Sequence, residues 1–338
     1  MTQGIFVGLM LLPVLPIQAV DAPPGALALL QGLPHLVSLD LSSSKLEDKQ
    51  LAGLEGLTWL GALNLSDNLD LTFEGMQALL PTLQLLTSLE LLGVDLGRQG
   101  FQVLAQLQGL HCLVLGPDDE VYDGIEVLTR LQHLTMLGAP EWEVLCYEED
   151  WEEEEGWRLL RCSSLRALHV KGISDEGACP LVSQVTELQV EQLFRHAPLL
   201  TGLVKLAVTG GGEIDMPSLM QHSAITELVL AGGCDVGAHE VGQLALLPHL
   251  RVLTLELDIN ESYELSDAVL LSTLGQCTGL ERLALSGLCL LTDQGLEVLA
   301  SGLPSLRSLK VWACIKLTVE GRERVLRLVA QRSAARGA

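Results

Sequence analysis

Leucine recurs along this chain in a frame of three, three and two, L-x-x-L-x-x-L-x-L. The frame is met at Leu33, Leu36, Leu39 and Leu41, at Leu57, Leu60, Leu63 and Leu65, at Leu83, Leu86, Leu89 and Leu91, and at Leu107, Leu110, Leu113 and Leu115. With conservative replacements it begins again at 128, 162, 182, 200, 222, 247, 277 and 303. In the closing x-L-x-L-x the two leucines point to one face of a short strand and the x residues to the other. One such strand cannot bury its leucines alone. Neighbours stacked in parallel bury them as a continuous apolar column. The rest of each repeat must return along the other side, and where it is long enough the spacing is helical. DQGLEVLASGL places Leu296, Leu299 and Leu303 on one face, behind Asp293 and Gln294. The mean step is about 24.5 residues. Middle steps of 18, 20, 21, 22 and 34 predict irregular repeats, and 18 residues leave no room for a full helix.

The ends of the chain test this frame. MTQGIFVGLMLLPVLPIQAV has the apolar run of an export signal. No Lys or Arg precedes Ile5, however, and Pro13 and Pro16 interrupt the run. Leu9, Leu12, Leu15 and Ile17 fall into the frame 24 residues ahead of Leu33, so the stretch reads as a first, degenerate repeat. Pro16 then suits an edge strand, where a missing N–H costs little. At the other end TVEGRERVLRLVAQRSAARGA reads as an amphipathic helix with an Arg-rich face, which either caps the last repeat or binds an acidic partner. The expected organisation is one array over 1–320, about thirteen repeats with an acidic, Trp-rich insertion at 139–157, then a capping helix and tail at 321–338.

Period and pattern are those of leucine-rich repeats, over nearly the whole chain. The resemblance implies an α/β solenoid, a horseshoe with a parallel sheet on its concave face and helices or irregular segments on its convex face. The segment LERLALSGLCLLTDQGLEVLASGLPSLRSLKVWACIKLTVEG further resembles the cysteine-containing repeats of F-box and related proteins, whose pattern is L-x-L-x-x-C-x-x-L-T-D-x-G-L. Val311, Cys314, Leu317 and Thr318 match in place, as do Leu285, Leu291, Thr292, Asp293, Gly295 and Leu296, while Cys289 sits one position late. Asn68 holds the cysteine position ahead of Leu71, Thr72 and Gly75. By that resemblance Cys or Asn satisfies backbone groups inside the turn, and the array recognises a protein ligand. Eight residues ahead of the first repeat are too few for an F-box, so ubiquitin-ligase subunits are expected as partners only through an adaptor or an F-box supplied elsewhere.

Composition narrows the partner. The 338 residues carry a formal charge of −23, which repels nucleic acid and anionic membrane surfaces and favours a basic protein ligand. Eight cysteines are scattered without C-x-x-C pairs, which points to reduced, buried thiols and a cytoplasmic setting. The sequons at Asn64 and Asn260 weigh little, since Asn64 is expected on the sheet.

Catalytic chemistry finds no footing. There is no phosphate loop, no nucleophile elbow and no dinucleotide fingerprint. His239-Glu240 opens a zinc-helix-like string, but Gln243 stands where the second His belongs. No enzyme, metal or cofactor is expected. Two surfaces could instead hold a partner. The acidic stretch GAPEWEVLCYEEDWEEEEGW is either a solvated loop or a docking loop with Trp142, Trp151 and Trp157 as anchors and Glu152 and Glu153 as steering charges. The outward sheet positions are expected to include Asp40, Asn64, Thr135, His169, Gln189, Ala207, Val229, Thr254 and Lys310, flanked by Lys171, Lys205 and Trp312. The leading expectation is a non-enzymatic protein-interaction module, in its narrower form the substrate-recognition arm of an SCF-type ubiquitin ligase. A cytoskeletal or axonemal scaffold and a secreted or receptor-type binder are the alternatives.

Overall fold

The computed structural model describes residues 14–16, 25–33, 35–116, 128, 130–144, 164–173, 184–193, 202–214, 216–259 and 262–337. Two compact units are built, 1–142 with 149–169, and 143–148 with 170–338.

In the first unit the strands β1 (Val14–Pro16), β2 (Ser38–Asp40), β3 (Ala62–Asn64), β4 (Ser88–Leu91), β5 (Cys112–Leu115) and β6 (Met136–Val144) pair in parallel and in chain order. Their register sets Leu15, Leu39, Leu63, Leu89, Leu113 and Leu137 side by side. From Leu39 onward this column is at most 2 % exposed. Leu41, Leu65, Leu91, Leu115 and Ala139 form a second buried column. Val14–Pro16 thus takes the place in the sheet that the 24-residue phase assigns to it, with Pro16 on an end strand. Short helices return the chain: α1 (Asp48–Leu51), α2 (Phe73–Leu79) and α3 (Gly97–Leu104).

One frame is displaced. The register pairs Leu113 with Leu137 and Val114 with Gly138. The outward residue at mid-strand is therefore Gly138, not Thr135, and the repeat starts at 131 rather than 128. Leu128, Leu131, Leu134 and Leu137 are spaced by three throughout, so leucine positions alone admit both frames. The backbone decides, because Thr135 N–H donates to the His111 carbonyl at 2.9 Å, ahead of the strand. β6 also runs to Val144, so residues 139–144 are strand rather than inserted loop.

The second unit repeats the plan with β8 (Glu187–Leu193), β9 (Lys205–Val208), β11 (Glu227–Leu230), β13 (Val252–Glu256), β14 (Arg282–Ser286) and β15 (Ser308–Trp312), again parallel and in chain order. The strand β7 (Ala167–Ile173) lies where the two units divide. Leu188, Leu206, Leu228, Leu253, Leu283 and Leu309 form the column. A small parallel pair, β10 (Gly212–Glu213) with β12 (Cys234–Asp235), stands beside the main sheet. The return segments lengthen along the chain, through α4 (Met216–Met220), α5 (Ala238–Leu244), α6 (Asp267–Thr273), α7 (Asp293–Gly302) and α8 (Val319–Gly337). As the spacing predicts, Leu296, Leu299 and Leu303 are buried against the sheet. The open, all-parallel α/β arrangement of both units is a leucine-rich-repeat solenoid.

Two polar devices lock repeat to repeat. Asn68 is fully buried, and its amide donates to the carbonyls of Leu41, Leu65 and Ser66 at 2.8–3.2 Å while its Oδ1 accepts the N–H groups of Ser44 and Leu46 at 3.1 and 3.0 Å. Cys234 does related work with a weaker donor, its Sγ lying 2.9 Å from the Ala231 carbonyl and 3.2 Å from that of Gly210. The second device joins helix starts. The Asp267 carboxylate accepts both the N–H and the hydroxyl of Thr292, at 2.9 and 2.6 Å. Thr292 in turn caps α7 by accepting from Gly295 N–H at 3.2 Å. A side chain at Gly295 would collide with the Asp267 carboxylate. The spacing T-D-x-G is thus a relay: Thr caps its own helix, Asp grips the Thr of the next repeat, and Gly leaves room for the Asp of the previous one.

Candidate functional site

The strands leave one face of each sheet to solvent, and register decides which side chains meet there. In the second unit one outward row runs Glu187, Lys205, Glu227, Val252, Arg282, Ser308. Neighbours in such a row stand about 4.8 Å apart. Lys205 Nζ lies 2.8 Å from Glu187 Oε1, and Arg282 reaches past Val252 to Glu227 at 3.6 Å. The Glu187 carboxylate, acting first through its hydrogen bond, raises the Lys205 pKa. All four side chains are between 31 and 60 % exposed, so each pair contributes at most about 1 kcal/mol. What the row supplies is a fixed pattern of sign.

The adjacent row runs Gln189, Ala207, Val229, Thr254, Ala284, Lys310. Its four central members are small and half-buried, so they make a smooth floor between the charged row and a third row holding Glu256, Ser286 and Trp312. Trp312 lies beside Ser286, which is 7 % exposed, and itself keeps 38 % of its surface in solvent. Trp312 is therefore an accessible member of this row. In the first unit the equivalent row is Asp40, Asn64, Glu90, Val114, Gly138. Asp40 and Asn64 turn back on their own backbone, accepting from Ser42 N–H at 3.0 Å and Ser66 N–H at 2.9 Å. These two side chains close the ends of their strands.

The residues expected from sequence are thus distributed unevenly. Gln189, Lys205, Lys310 and Trp312 share the outward face of the second unit, with Lys205 already paired. His169 and Lys171 are half-buried on β7. Trp142 lies in β6, and Trp151, Trp157, Glu152 and Glu153 fall outside the described residues. Sequence reading missed two features. His111 and His133 stack with centroids 5.8 Å apart, one repeat from each other. At the end of β15 and beyond it, Trp312, Ile315, Leu317, Val319 and Arg322 help to line a shallow cavity of about 170 Å³, in a run whose apolar residues follow neither the strand nor the helix period.

Among the described residues no group of His, Cys, Asp and Glu is arranged to hold a metal ion. None of the five described cysteines is in a disulfide. Burial pushes the Cys277 thiol up to about 11, and burial likewise raises Cys112 and Cys314, the opposite of a nucleophile's requirement. Among the described residues no helix is long and apolar enough to cross a membrane.

No family model and no curated protein matches this sequence. Solved structures do resemble it. An internalin from Listeria monocytogenes is 18 % identical with a TM-score of 0.44, over 89 % of this chain and 87 % of that one. A leucine-rich-repeat protein of Leptospira interrogans is 15 % identical with a TM-score of 0.37, over 96 % and 97 %. A chain of the yeast Rad7–Elc1 complex is 18 % identical with a TM-score of 0.47, over 87 % and 81 %. At these identities the likeness is one of fold.

Proposed function

We propose that this chain is a non-enzymatic protein-interaction module that presents the outward face of its parallel sheet to a protein partner. The observation that supports this best is the in-register face of the second unit. Its charged row of Glu187, Lys205, Glu227 and Arg282 runs beside the smooth floor of Ala207, Val229, Thr254 and Ala284. Backbone pairing holds these side chains at fixed spacing, so little freedom is lost when a partner docks. The alternation of sign selects a partner of matching pattern and penalises others.

A narrower version makes the chain the substrate-recognition arm of an SCF-type ubiquitin ligase in the cytoplasm, joined through an adaptor or an F-box supplied elsewhere. It is favoured by the Leu291–Leu296 segment, whose Thr292, Asp293 and Gly295 perform the relay described above. Unbridged, buried thiols at Cys234, Cys277 and Cys289 accord with a reducing compartment.

The test uses the full chain and the double variant Val229→Arg, Thr254→Arg, which places two long cations on the floor without touching the core. Both are tagged and expressed in the same cells, and captured proteins are identified by mass spectrometry. The expected result is a defined partner set held by the wild type and lost by the folded variant. Ligase subunits in that set support the narrower version. Identical sets from both chains contradict the sheet-face reading.

A further inference from the structure

β15 is the end strand of its sheet, and the apolar column is less closed there. Leu309 and Val311 are 8 and 7 % exposed, whereas Leu283 and Leu285, one strand inward, are 2 and 0 %. The chain leaves β15 and turns into α8 around the 170 Å³ cavity. Trp312, Ile315 and Val319 on its rim are 38, 68 and 59 % exposed. Small-molecule sites start at roughly 300 Å³, so this hollow suits one bulky apolar side chain rather than a cofactor.

Charge identifies what carries that side chain. Residues 303–338 hold eight Lys and Arg against two acids, Glu320 and Glu323, a net of +6 within a chain of −23. Several of these cations are engaged. Arg327 pairs with Glu323 at 2.6 Å, Arg324 with Glu297 at 3.4 Å, and Arg332 donates to the Ala300 carbonyl at 2.9 Å. Arg307, Lys310, Lys316 and Arg322 have no ion-pair partner among the described residues, and Arg322 itself lines the cavity. An acidic ligand is repelled by most of this protein and attracted here. Two whole chains at −23 each repel one another over most of their surfaces, so an acidic segment of a partner fits better than self-association.

We propose that this end of the second unit docks an acidic segment of a partner protein, which inserts one bulky apolar side chain between Trp312 and Ile315 while Lys310, Lys316 and Arg322 hold its carboxylates. The inference rests on the reading of the chain as a protein-interaction module and names the partner chemistry at one end of the same sheet.

The test is fluorescence anisotropy with the full chain and a short fluorescein-labelled peptide of Glu and Asp with one central Phe. The expected result is saturable binding that weakens as salt is raised. Trp312→Ala and Ile315→Asp, each shown by circular dichroism to be folded, lower the affinity at least about tenfold. Joint substitution Lys310→Glu, Lys316→Glu and Arg322→Glu abolishes it, and a peptide with Lys in place of the acids does not bind. The Val229→Arg, Thr254→Arg variant still binds the peptide, at least as tightly as the wild type does, which separates this site from the sheet floor. Absence of peptide binding overturns the proposal, as does binding indifferent to both Trp312→Ala and Ile315→Asp. Self-association of the wild type that these two substitutions abolish also overturns it, because a second copy is then the occupant.

Discussion

The Asp293 carboxylate accepts both the backbone N–H and the hydroxyl of Thr318, at 2.9 and 2.6 Å, across 25 residues of sequence. Asp267 holds Thr292 in the same way, and Asp48 holds Thr72. Each bond joins the start of one helix to the start of the next. Each also falls at a place where Gly three residues past the Thr admits the carboxylate. Where the Asp is replaced, as by Phe73 or Ala238, the next repeat carries no Thr cap.

The relay makes glycine substitutions diverge. Gly295→Ala places a methyl group against the Asp267 carboxylate and is expected to cost about 1–3 kcal/mol, despite the better helix propensity of Ala. Gly302→Ala, at the last residue of α7 with open space around it, is expected to be neutral or slightly stabilising. Denaturant melts compare the two. Adding Asp267→Ala to Gly295→Ala is expected to cost less than the sum of the single changes, because the clash is removed with the carboxylate.

Acid should loosen one of these joints and one helix start. The Thr318 hydroxyl, by its hydrogen bond, holds the Asp293 pKa below the ordinary 3.8, and the Thr72 hydroxyl, whose one proton lies between Asp48 and Glu74, does the same for Glu74, below 4.5. A group whose pKa is lower folded than unfolded stabilises fully above its unfolded value, and that contribution is lost as pH falls through the folded one. Thermal melts are therefore expected to drop once pH falls below about 4.5 and to keep dropping below 3.8. In Asp293→Asn the drop is shallower, which circular dichroism over that range measures.

Asn68 sets a larger cost. Asn68→Ala strands two buried N–H groups and takes the side-chain donor from the Leu41 and Leu65 carbonyls, while the Ser66 carbonyl keeps its bond from Ser43 N–H. The expected loss is about 3 kcal/mol or more, read as a shift in the denaturation midpoint at unchanged slope.

The charged row behaves differently. Lys205→Ala removes an exposed pair and is expected to change stability by less than about 1 kcal/mol. Lys205→Glu puts three carboxylates in line with Glu187 and Glu227 and is expected to destabilise further at low salt. Added salt should recover most of that difference. Recovery measured in melts at two ionic strengths checks the electrostatic origin.

The repeat was legible because strand leucines recur at fixed spacing and a one-residue slip would expose a whole column. That logic placed Leu15 beside Leu39 from sequence alone. It failed at Leu128, Leu131, Leu134 and Leu137, where uniform spacing fits two frames and a backbone bond from Thr135 chooses between them. The outward face was legible as a list and not as a surface. Sequence cannot tell that Asp40 and Asn64 bond their own strands, or that Lys205 is taken by Glu187. The cavity beside Trp312 was hidden because it depends on where the sheet ends, a property of the stack rather than of any one repeat.

The most direct measurement of the central claim is hydroxyl-radical footprinting of the chain, alone and with a partner captured by it. The account predicts that Val229, Thr254 and Trp312 lose reactivity on binding while exposed Leu246 and Val298, in the return segments, keep theirs. Protection of Leu246 and Val298 with the sheet-face residues unchanged would contradict it.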